Sequence, residues 1–418
     1  MPKTDFSPMP KITVIQAREI LDSRGYPTLE TKVVLDTGHQ GVASVPSASE
    51  FLDNDPKRFR GLGKLMAVKS INLELAHKLI GQDPTQQIKI DQSLLDLDGT
   101  PSKTQYGASC LLSISTACLK AAAAYYNLPL YQYIWKKFYS LLPLNRLPVP
   151  TFNIINGGAH GAGNLDFQEF HLIPSARFSY REALQIGVEV YQALKSALKY
   201  RRAIHSVGDE GGFAPDLFTN LDALSVILEA IRATPYQLAK DVFLGLDVAA
   251  DFFYKNGHYE IKDRAQPYNE EELIAYYAEL VREFHLFSLE DGLHQDAWGG
   301  WSRLTETLGN RCLIIGDDLL STNRQRVEEA IAKKACNAIL VKPNQVGTIS
   351  ETIQIITRCR AAGWKIIVSH RSGETNDSFI ADLAVGVLAD YTKFGAPARG
   401  ERVAKYNRLS TIASELKL

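Results

Sequence analysis

The chain has 418 residues, of which 45% are hydrophobic and 22% are charged, and its formal net charge at pH 7 is −1. This length exceeds the size at which a single hydrophobic core keeps growing, so two domains are expected. The near-neutral charge gives no reason to expect nucleic acid or an anionic membrane as a partner. The five cysteines form no C-x-x-C pair, which predicts buried, reduced thiols and a cytoplasmic location.

The first part of the chain predicts a leader followed by an α+β domain. Residues 1–10 lack the apolar segment of a signal peptide, and we expect them to be disordered. KITVIQAREIL and TLETKVVLD follow as strand-like stretches, and the second alternates as a half-buried antiparallel strand does. Helical patterns come next, and their apolar part is too short to span a bilayer. The domain is predicted over 11–140, with helices at roughly 64–80, 85–96 and 107–125.

A proline-rich stretch, LLPLNRLPVP at 141–150, marks the predicted domain boundary, and residues 141–418 have a different pattern. Short apolar runs recur there, and each ends in a charged residue and precedes a helical pattern. This order implies parallel strands, and so many units favour a closed, TIM-like β/α barrel, with a doubly wound open sheet as the alternative. The runs are VFLGLDVAA, LFSLEDG, CLIIGDD, AILVKPNQ and KIIVSHR.

Carboxylates end three successive strands of this predicted barrel, where polar side chains point into the active-site mouth. Packed together without a cation, such groups would repel and become protonated. Mg²⁺ suits a few carboxylates together with a substrate phosphate, so a metal site is predicted. The alternative is that each acid caps the helix that follows its strand. The acids are Asp247, Glu290 with Asp291, and Asp317 with Asp318.

Basic residues end three further strands. Lys342 and Lys393 would face the same cavity, where a partly desolvated lysine is a usable general base, or else it only neutralises the carboxylates. After another strand, residues 370–373 combine a guanidinium, a hydroxyl and backbone N–H groups near a glycine, which suits a phosphate. A capped strand-to-helix turn explains the same residues, so both interpretations stay open.

Two glycine-rich segments, 153–170 and 206–216, precede the repeated units, and neither fits a dinucleotide or P-loop spacing. Glycines allow loop backbone to pass close to a ligand, although ordinary turns are equally rich in them. The titratable groups that these segments could bring to a ligand are His160, Glu169, Asp209 and Glu210.

The chain resembles the enolase family over nearly its whole length, in long motifs that follow the family's order: AREILDSRG, NIINGGAHG, QEF, VGDEGGFAP, LDVAA, LED, GDDL, KPNQVGT, SHRSGET and KFGAPARGERVAKYN. The resemblance implies a small N-terminal α+β capping domain and a C-terminal β/α barrel whose early part departs from regular alternation. It also implies a homodimer or higher homo-oligomer. The implied activity is the Mg²⁺-dependent interconversion of 2-phosphoglycerate with phosphoenolpyruvate and water, on a small phosphorylated hydroxy acid.

When the family's functional residues are carried over position by position, the resemblance implies that Lys342 is the base that removes the proton α to the carboxylate. It makes Glu210 the acid that assists hydroxide departure, with Glu169 as its neighbour. The other implied roles are ligands of the first Mg²⁺ at Asp247, Glu290 and Asp317, substrate and loop contacts at His160, Gln168 and His370, a phosphate site at Arg371 and Ser372, and a group near the substrate carboxylate at Lys393.

One segment departs from the family. Relatives normally carry a Gly-Ala-Ser-Thr-Gly lid after Val-Pro-Ser, and its serine completes a second Mg²⁺ site. Here VPSASEFLDND, residues 45–55, lacks both flanking glycines, and only Ser49 could serve, while Ser47 and Glu50 also have the spacing of a helix cap. Three functions stay open: an active enolase, an enolase-like enzyme for a related phosphorylated or phosphonate acid, and a non-catalytic binding protein.

Overall fold

The computed structural model describes residues 9–47, 55–158, 161 and 163–418, and the chain divides into two compact units. All but two residues of the predicted leader lie outside this description. The first unit comprises Met1–Leu144, Lys342–Ile356 and Arg371–Leu388, and the second comprises Asn145–Val341, Thr357–His370 and Ala389–Leu418.

The first unit contains a three-stranded antiparallel sheet, with β1 (Ile12–Leu21), β2 (Pro27–Leu35) and β3 (Gln40–Ser44) in that order. In β2 the predicted alternation is confirmed, because Leu29 and Val33 are buried in the core. Helices cover the regions that the sequence predicted, and the unit's first five are α1 (Leu65–Lys69), α2 (Ala76–Leu79), α3 (Gln87–Asp98), α4 (Ala108–Tyr125) and α5 (Leu130–Phe138).

Helix α4 is the core helix of this unit. It approaches the sheet so closely that a Cβ on Gly41 of β3 would lie 2.1 Å from the carbonyl oxygen of Ala117. A hydrogen bond of 2.8 Å joins Thr31 of β2 to Ser113 of the helix. By length and hydropathy α4 is the one described helix that could cross a membrane, but 89% of it is buried inside the protein, as in a core helix.

The second unit is a closed eight-stranded barrel, so the prediction of a β/α barrel is confirmed and the open-sheet alternative is wrong. Neighbouring strands around the barrel follow the order β10-β11-β12-β13-β4-β5-β6-β9, and a small hairpin, β7–β8, lies between β6 and β9 in sequence. The strands are β4 (Val149–Asn156), β5 (Glu169–Pro174), β6 (Val242–Asp247), β7 (Tyr254–Lys255), β8 (His258–Tyr259), β9 (Leu286–Glu290), β10 (Leu313–Gly316), β11 (Ala338–Val341), β12 (Lys365–Ser369) and β13 (Tyr391–Lys393).

Strand β5 runs antiparallel to both of its neighbours, whereas all other barrel pairs are parallel. This reversal is the early departure from regular alternation that the resemblance implied. The end of β5 lies beside the start of β6, so helices inserted between them must return the chain to the same end of the barrel. This connection contains two helices, α6 (Tyr180–Tyr200) and α7 (Asn220–Arg232).

The remaining helices are α6 (Tyr180–Tyr200), α7 (Asn220–Arg232), α8 (Glu270–Phe284), α9 (Trp298–Leu308), α10 (Arg324–Lys333), α11 (Pro343–Val346), α12 (Ile349–Ala361), α13 (Phe379–Gly386) and α14 (Gly400–Leu416). Reciprocal capping boxes start α6, α7 and α8, in which the first-turn acid also suits the helix dipole. All five cysteines are buried and unbridged, as predicted.

Candidate active site

Carboxylates stand at the carboxyl ends of neighbouring barrel strands, as the sequence predicted. Asp247 ends β6 and pairs in register with Glu290, which ends β9. Asp317 directly follows β10, whose Ile315 is paired with Glu290. All three acids are buried, so water cannot solvate their charges.

The ammonium of Lys393 lies among these acids. Its Nζ is 2.8 Å from Oδ2 of Asp247, 2.9 Å from Oε1 of Glu290 and 3.2 Å from Oε1 of Glu169. Burial alone would lower the pKa of Lys393, but the charges of Asp247, Glu169 and Glu290 outweigh it and hold that pKa well above its usual value. Lys393 is therefore a permanent cation here.

The acids have the chemistry of a metal site. Burial, followed by the charge of Asp247, raises the pKa of Glu290 well above its usual value, and its Oε2 has no hydrogen-bond partner among the described residues. Burying an oxygen without a hydrogen-bond partner costs free energy, and coordination to a hard cation would offset this cost. Asp247, Glu290 and Asp317 thus offer an all-oxygen donor set that fits a divalent cation.

A second, overlapping acidic group consists of Asp291, Asp317 and Asp318, whose candidate ligand atoms all lie within 4.8 Å of one another. The carboxylate of Asp291 accepts the backbone N–H groups of Asp317 at 3.0 Å and Asp318 at 2.7 Å. Asp291 therefore positions the start of this loop through both of its oxygens.

Glu169 and Glu210 form a buried acid pair. Glu169 is the first residue of the reversed strand β5, which puts it opposite Asp247 at the end of β6. Burial, followed by the charge of Glu210, raises the pKa of Glu169 well above its usual value. Asn153 donates to Oε2 of Glu210 at 3.0 Å, and Nε2 of His171 is 3.0 Å from Oε2 of Glu169. The pair can hold a proton where an acid catalyst would need one.

His370 is held as a neutral imidazole beside this pair. Nη1 of the fully buried Arg402 lies 2.6 Å from Nδ1 of His370. Because a guanidinium can only donate, Nδ1 must accept and the ring proton resides on Nε2, 3.6 Å from Oε2 of Glu210. Burial first, and then the charge of Arg402, lower the pKa of His370 to about 3.

The predicted base and phosphate residues belong to the first unit. Lys342 is half-buried and directly follows β11, immediately before α11. The backbone N–H of Arg371 donates to Oε1 of Glu374 and its Nη1 donates to Oδ1 of Asn344, both at 3.2 Å. Its guanidinium is thereby oriented before any ligand binds. The carbonyl of Ser372 accepts a 3.5 Å contact from the hydroxyl of Ser23.

Within the same unit, Asp22 connects the segment at 371–375 with the start of the shortened lid. Its Oδ1 accepts the backbone N–H groups of Arg24 at 2.9 Å and Tyr26 at 2.7 Å, and its Oδ2 accepts the hydroxyl of Ser47 at 2.5 Å. A Cβ on Gly373 would lie 2.3 Å from Oδ2 of Asp22 and 2.6 Å from the Ser47 hydroxyl, so only glycine fits there.

Two predicted residues, Ser49 and His160, lie outside the described residues, as does the Glu50 partner of the predicted helix cap. The side chain of Gln168 lies near the site, with a distance of 3.4 Å from its Nε2 to Oδ2 of Asp247. Sequence reasoning did not find Asn153, His171 or Arg402. The spacing Glu169-x-His171 could have indicated His171, because alternate residues of a strand share one face.

The second unit is thus a closed β/α barrel with buried carboxylates around a lysine at its strand ends, and a small antiparallel sheet precedes it in sequence. The class defined is a barrel protein with its candidate site at the carboxyl ends of the strands. Residues 145–417 match the family model described as the enolase C-terminal TIM barrel domain, and residues 12–134 match that of the enolase N-terminal domain. The chain belongs to the enolase family.

Proposed function

We propose that the protein is a Mg²⁺-dependent lyase that interconverts 2-phospho-D-glycerate with phosphoenolpyruvate and water. The observation that carries this proposal is the buried group of Asp247, Glu290, Glu169 and Lys393, in a family member that also keeps Lys342 and Glu210. A chain released from catalysis would have no physical need for both the base and the acid.

In the first step, the amine of Lys342 would take the proton from the carbon next to the substrate carboxylate. The C–H bonding electrons move into the carboxylate, which gains a further negative charge. Lys393 would face this charge as a fixed cation, because its pKa is raised and it cannot lose its proton. Mg²⁺, when bound by Asp247, Glu290 and Asp317, supplies further positive charge to those oxygens.

In the second step, the C–O bond to the hydroxyl breaks as the electrons return to form the carbon–carbon double bond. Glu210 would give the departing oxygen a proton, so that water leaves. Glu169 beside it has a raised pKa, so the pair holds a proton, while Asn153 fixes the orientation of Glu210. The reverse reaction would use the same residues in opposite order.

Arg371 and Ser372 are proposed to hold the phosphate, with His370, Gln168 and His160 as further substrate contacts. A homodimer in the cytoplasm is proposed on the family resemblance and on the unbridged cysteines. A second Mg²⁺ would depend on Ser49.

A related phosphorylated or phosphonate acid is the second candidate substrate. The short segment after Val45-Pro46-Ser47 favours this alternative, because a closing lid needs residues that absorb large backbone rotations. A non-catalytic binding protein is the third possibility.

The test is phosphoenolpyruvate formation from 2-phosphoglycerate with Mg²⁺, followed by ultraviolet absorbance. We expect turnover that falls by about 10²-fold or more in Lys342→Ala. Turnover no higher than that of Lys342→Ala, with a folded protein, would refute the proposal. Turnover only with a phosphonate or related acid would select the second candidate, and partner binding unaffected by Lys342→Ala, without any turnover, would select the third.

A further inference from the structure

The second unit has a cavity at the end of the barrel opposite the carboxylates. It has a volume of about 310 Å³, and Phe243, close to the start of β6, and Phe287, close to the start of β9, both line it. Asp247 lies roughly 13 Å from Phe243 along β6, and Glu290 lies roughly 10 Å from Phe287 along β9, at 3.3 Å per residue. None of the candidate active-site residues lines the cavity.

The wall of the cavity is apolar and aromatic. The rings of Phe243 and Phe287 are 5.7 Å apart between centroids at an angle of 46°. Both side chains are only half-buried, while Val281 and Leu286 beside them are buried. Partly exposed aromatic rings in a concave site offer a planar ligand a surface that it could cover.

The rim of the cavity is basic. Arg282 near the end of α8, His285 just after it, and Arg311 before β10 all line the cavity and are exposed, and its lining contains no acidic residue. Among the residues that the structure describes, neither arginine forms an ion pair. By contrast, Arg264, Arg303, Arg326 and Arg358 of the same unit are all paired with carboxylates.

We propose that this cavity, defined by Arg282, Arg311, Phe243 and Phe287, binds a free small organic anion with a planar apolar body and an acidic headgroup. The two guanidinium groups would hold the headgroup, since arginine forms strong hydrogen bonds to anionic oxygens. The phenylalanine rings would cover the apolar body. His285 stands at the same rim and would add a hydrogen-bond donor.

The probe is 8-anilinonaphthalene-1-sulfonate, an anion with a planar naphthalene body, and its affinity for the whole protein is measured by fluorescence titration. We expect Arg282→Gln with Arg311→Gln to weaken binding about tenfold or more, because charged hydrogen bonds are lost. The matched control removes two exposed arginines outside the cavity, Arg181→Gln with Arg324→Gln, and should leave the affinity unchanged.

Two further measurements test the shape and the charge separately. Ala239→Phe, at the exposed wall of the cavity, should also weaken binding of the probe, because the larger side chain takes up space. N-phenyl-1-naphthylamine lacks the sulfonate and should lose much less affinity than the anionic probe in the Arg282→Gln, Arg311→Gln variant. Unchanged binding of the anionic probe to that folded variant would overturn the proposal, as would an equal loss in the Arg181→Gln, Arg324→Gln control.

Discussion

The hydroxyl of Ser47 donates to Oδ2 of Asp22 at 2.5 Å. Ser47 immediately precedes the shortened lid, and the carboxylate that holds it also accepts the backbone N–H groups of Arg24 and Tyr26. Gly373 packs against the same two atoms. The lid's starting point and the predicted phosphate segment therefore depend on a single buried carboxylate within the first unit.

Gly373→Ala should disrupt this arrangement, because its Cβ would lie 2.3 Å from Asp22 and 2.6 Å from Ser47. We expect a loss of about 1–3 kcal/mol in the free energy of unfolding, measured with urea, and lower turnover. Gly400→Ala is the control, since no atom lies within 4 Å of a Cβ there. Equal stability of the two variants would contradict the prediction.

Mg²⁺ should raise the melting temperature of the protein, because an ion that binds only the folded state stabilises it, by about 2.7 kcal/mol at a hundredfold excess over its dissociation constant. Glu290→Gln should remove most of this shift, whereas Asp318→Asn should keep it, if Asp247, Glu290 and Asp317 hold the ion. The opposite pattern would move the ion to the Asp291, Asp317 and Asp318 group.

His370 should make the protein sensitive to mild acid. Its folded pKa is lowered to about 3, so the unfolded chain takes up a proton below roughly pH 6.5 while the folded protein does not. This contribution to stability is complete above pH 6.5 and is lost as the pH falls toward 3. From pH 7 to 5.5 the wild type should lose about 1 kcal/mol more than His370→Gln in urea unfolding.

The control for this pH series is His258→Gln, at an exposed position outside the candidate site. It should lose stability in parallel with the wild type over the same interval. If His370→Gln also follows the wild type, the imidazole does not stay neutral in the folded protein, and its assigned tautomer beside Arg402 is wrong.

Lys120 and Asp377 form a partly buried ion pair of the first unit, with Nζ 2.7 Å from both carboxylate oxygens. Burial would raise the pKa of Asp377, but the charge and hydrogen bonds of Lys120, with those of Ser44 and Phe379, lower it overall. The stability from Asp377 is therefore present above its unfolded pKa of about 3.9 and is lost as the pH falls through its lower folded value.

Lys120→Met should cost about 1–3 kcal/mol in the free energy of unfolding, because it leaves the partly buried Asp377 carboxylate without its counter-ion. The measurement is urea unfolding at pH 7. Lys120→Met with Asp377→Leu should recover part of the loss, since an apolar pair no longer buries a charge. A single variant as stable as the wild type would show that the ion pair contributes nothing.

The barrel could be predicted from the sequence because its parallel strands are short apolar runs, each of which ends in a charged residue. Asp247, Glu290 and Asp317 were found for the same reason, since strand ends gather at one face of a barrel. The direction of β5 has no local signal of this kind. Its six residues, EFHLIP, are buried throughout, so no alternation distinguishes a reversed strand from a parallel one.

The contacts around the candidate site could not be predicted, because they join positions far apart in sequence. Arg402 of α14 contacts His370, which directly follows β12, and no spacing in the chain encodes that contact. Lys393 was predicted to face the carboxylates, either near the substrate or as a neutralising charge, but its contacts with Asp247, Glu290 and Glu169 in particular follow from the closed barrel. Tertiary packing, rather than local propensity, decides both.

The reversal of β5 also affects which insertions and deletions the chain can accept between β4 and β5. Because β4 and β5 pair antiparallel, the connection between them returns the chain at the carboxylate end of the barrel. If β4 and β5 were parallel, a crossover helix would join them, and an insertion or deletion would disturb the packing of that helix. The connection between β4 and β5 depends instead on close backbone contacts, since a Cβ on Gly157 would lie 2.3 Å from the carbonyl oxygen of Phe167. A change of length there would therefore act directly on the position of the proposed substrate contact Gln168.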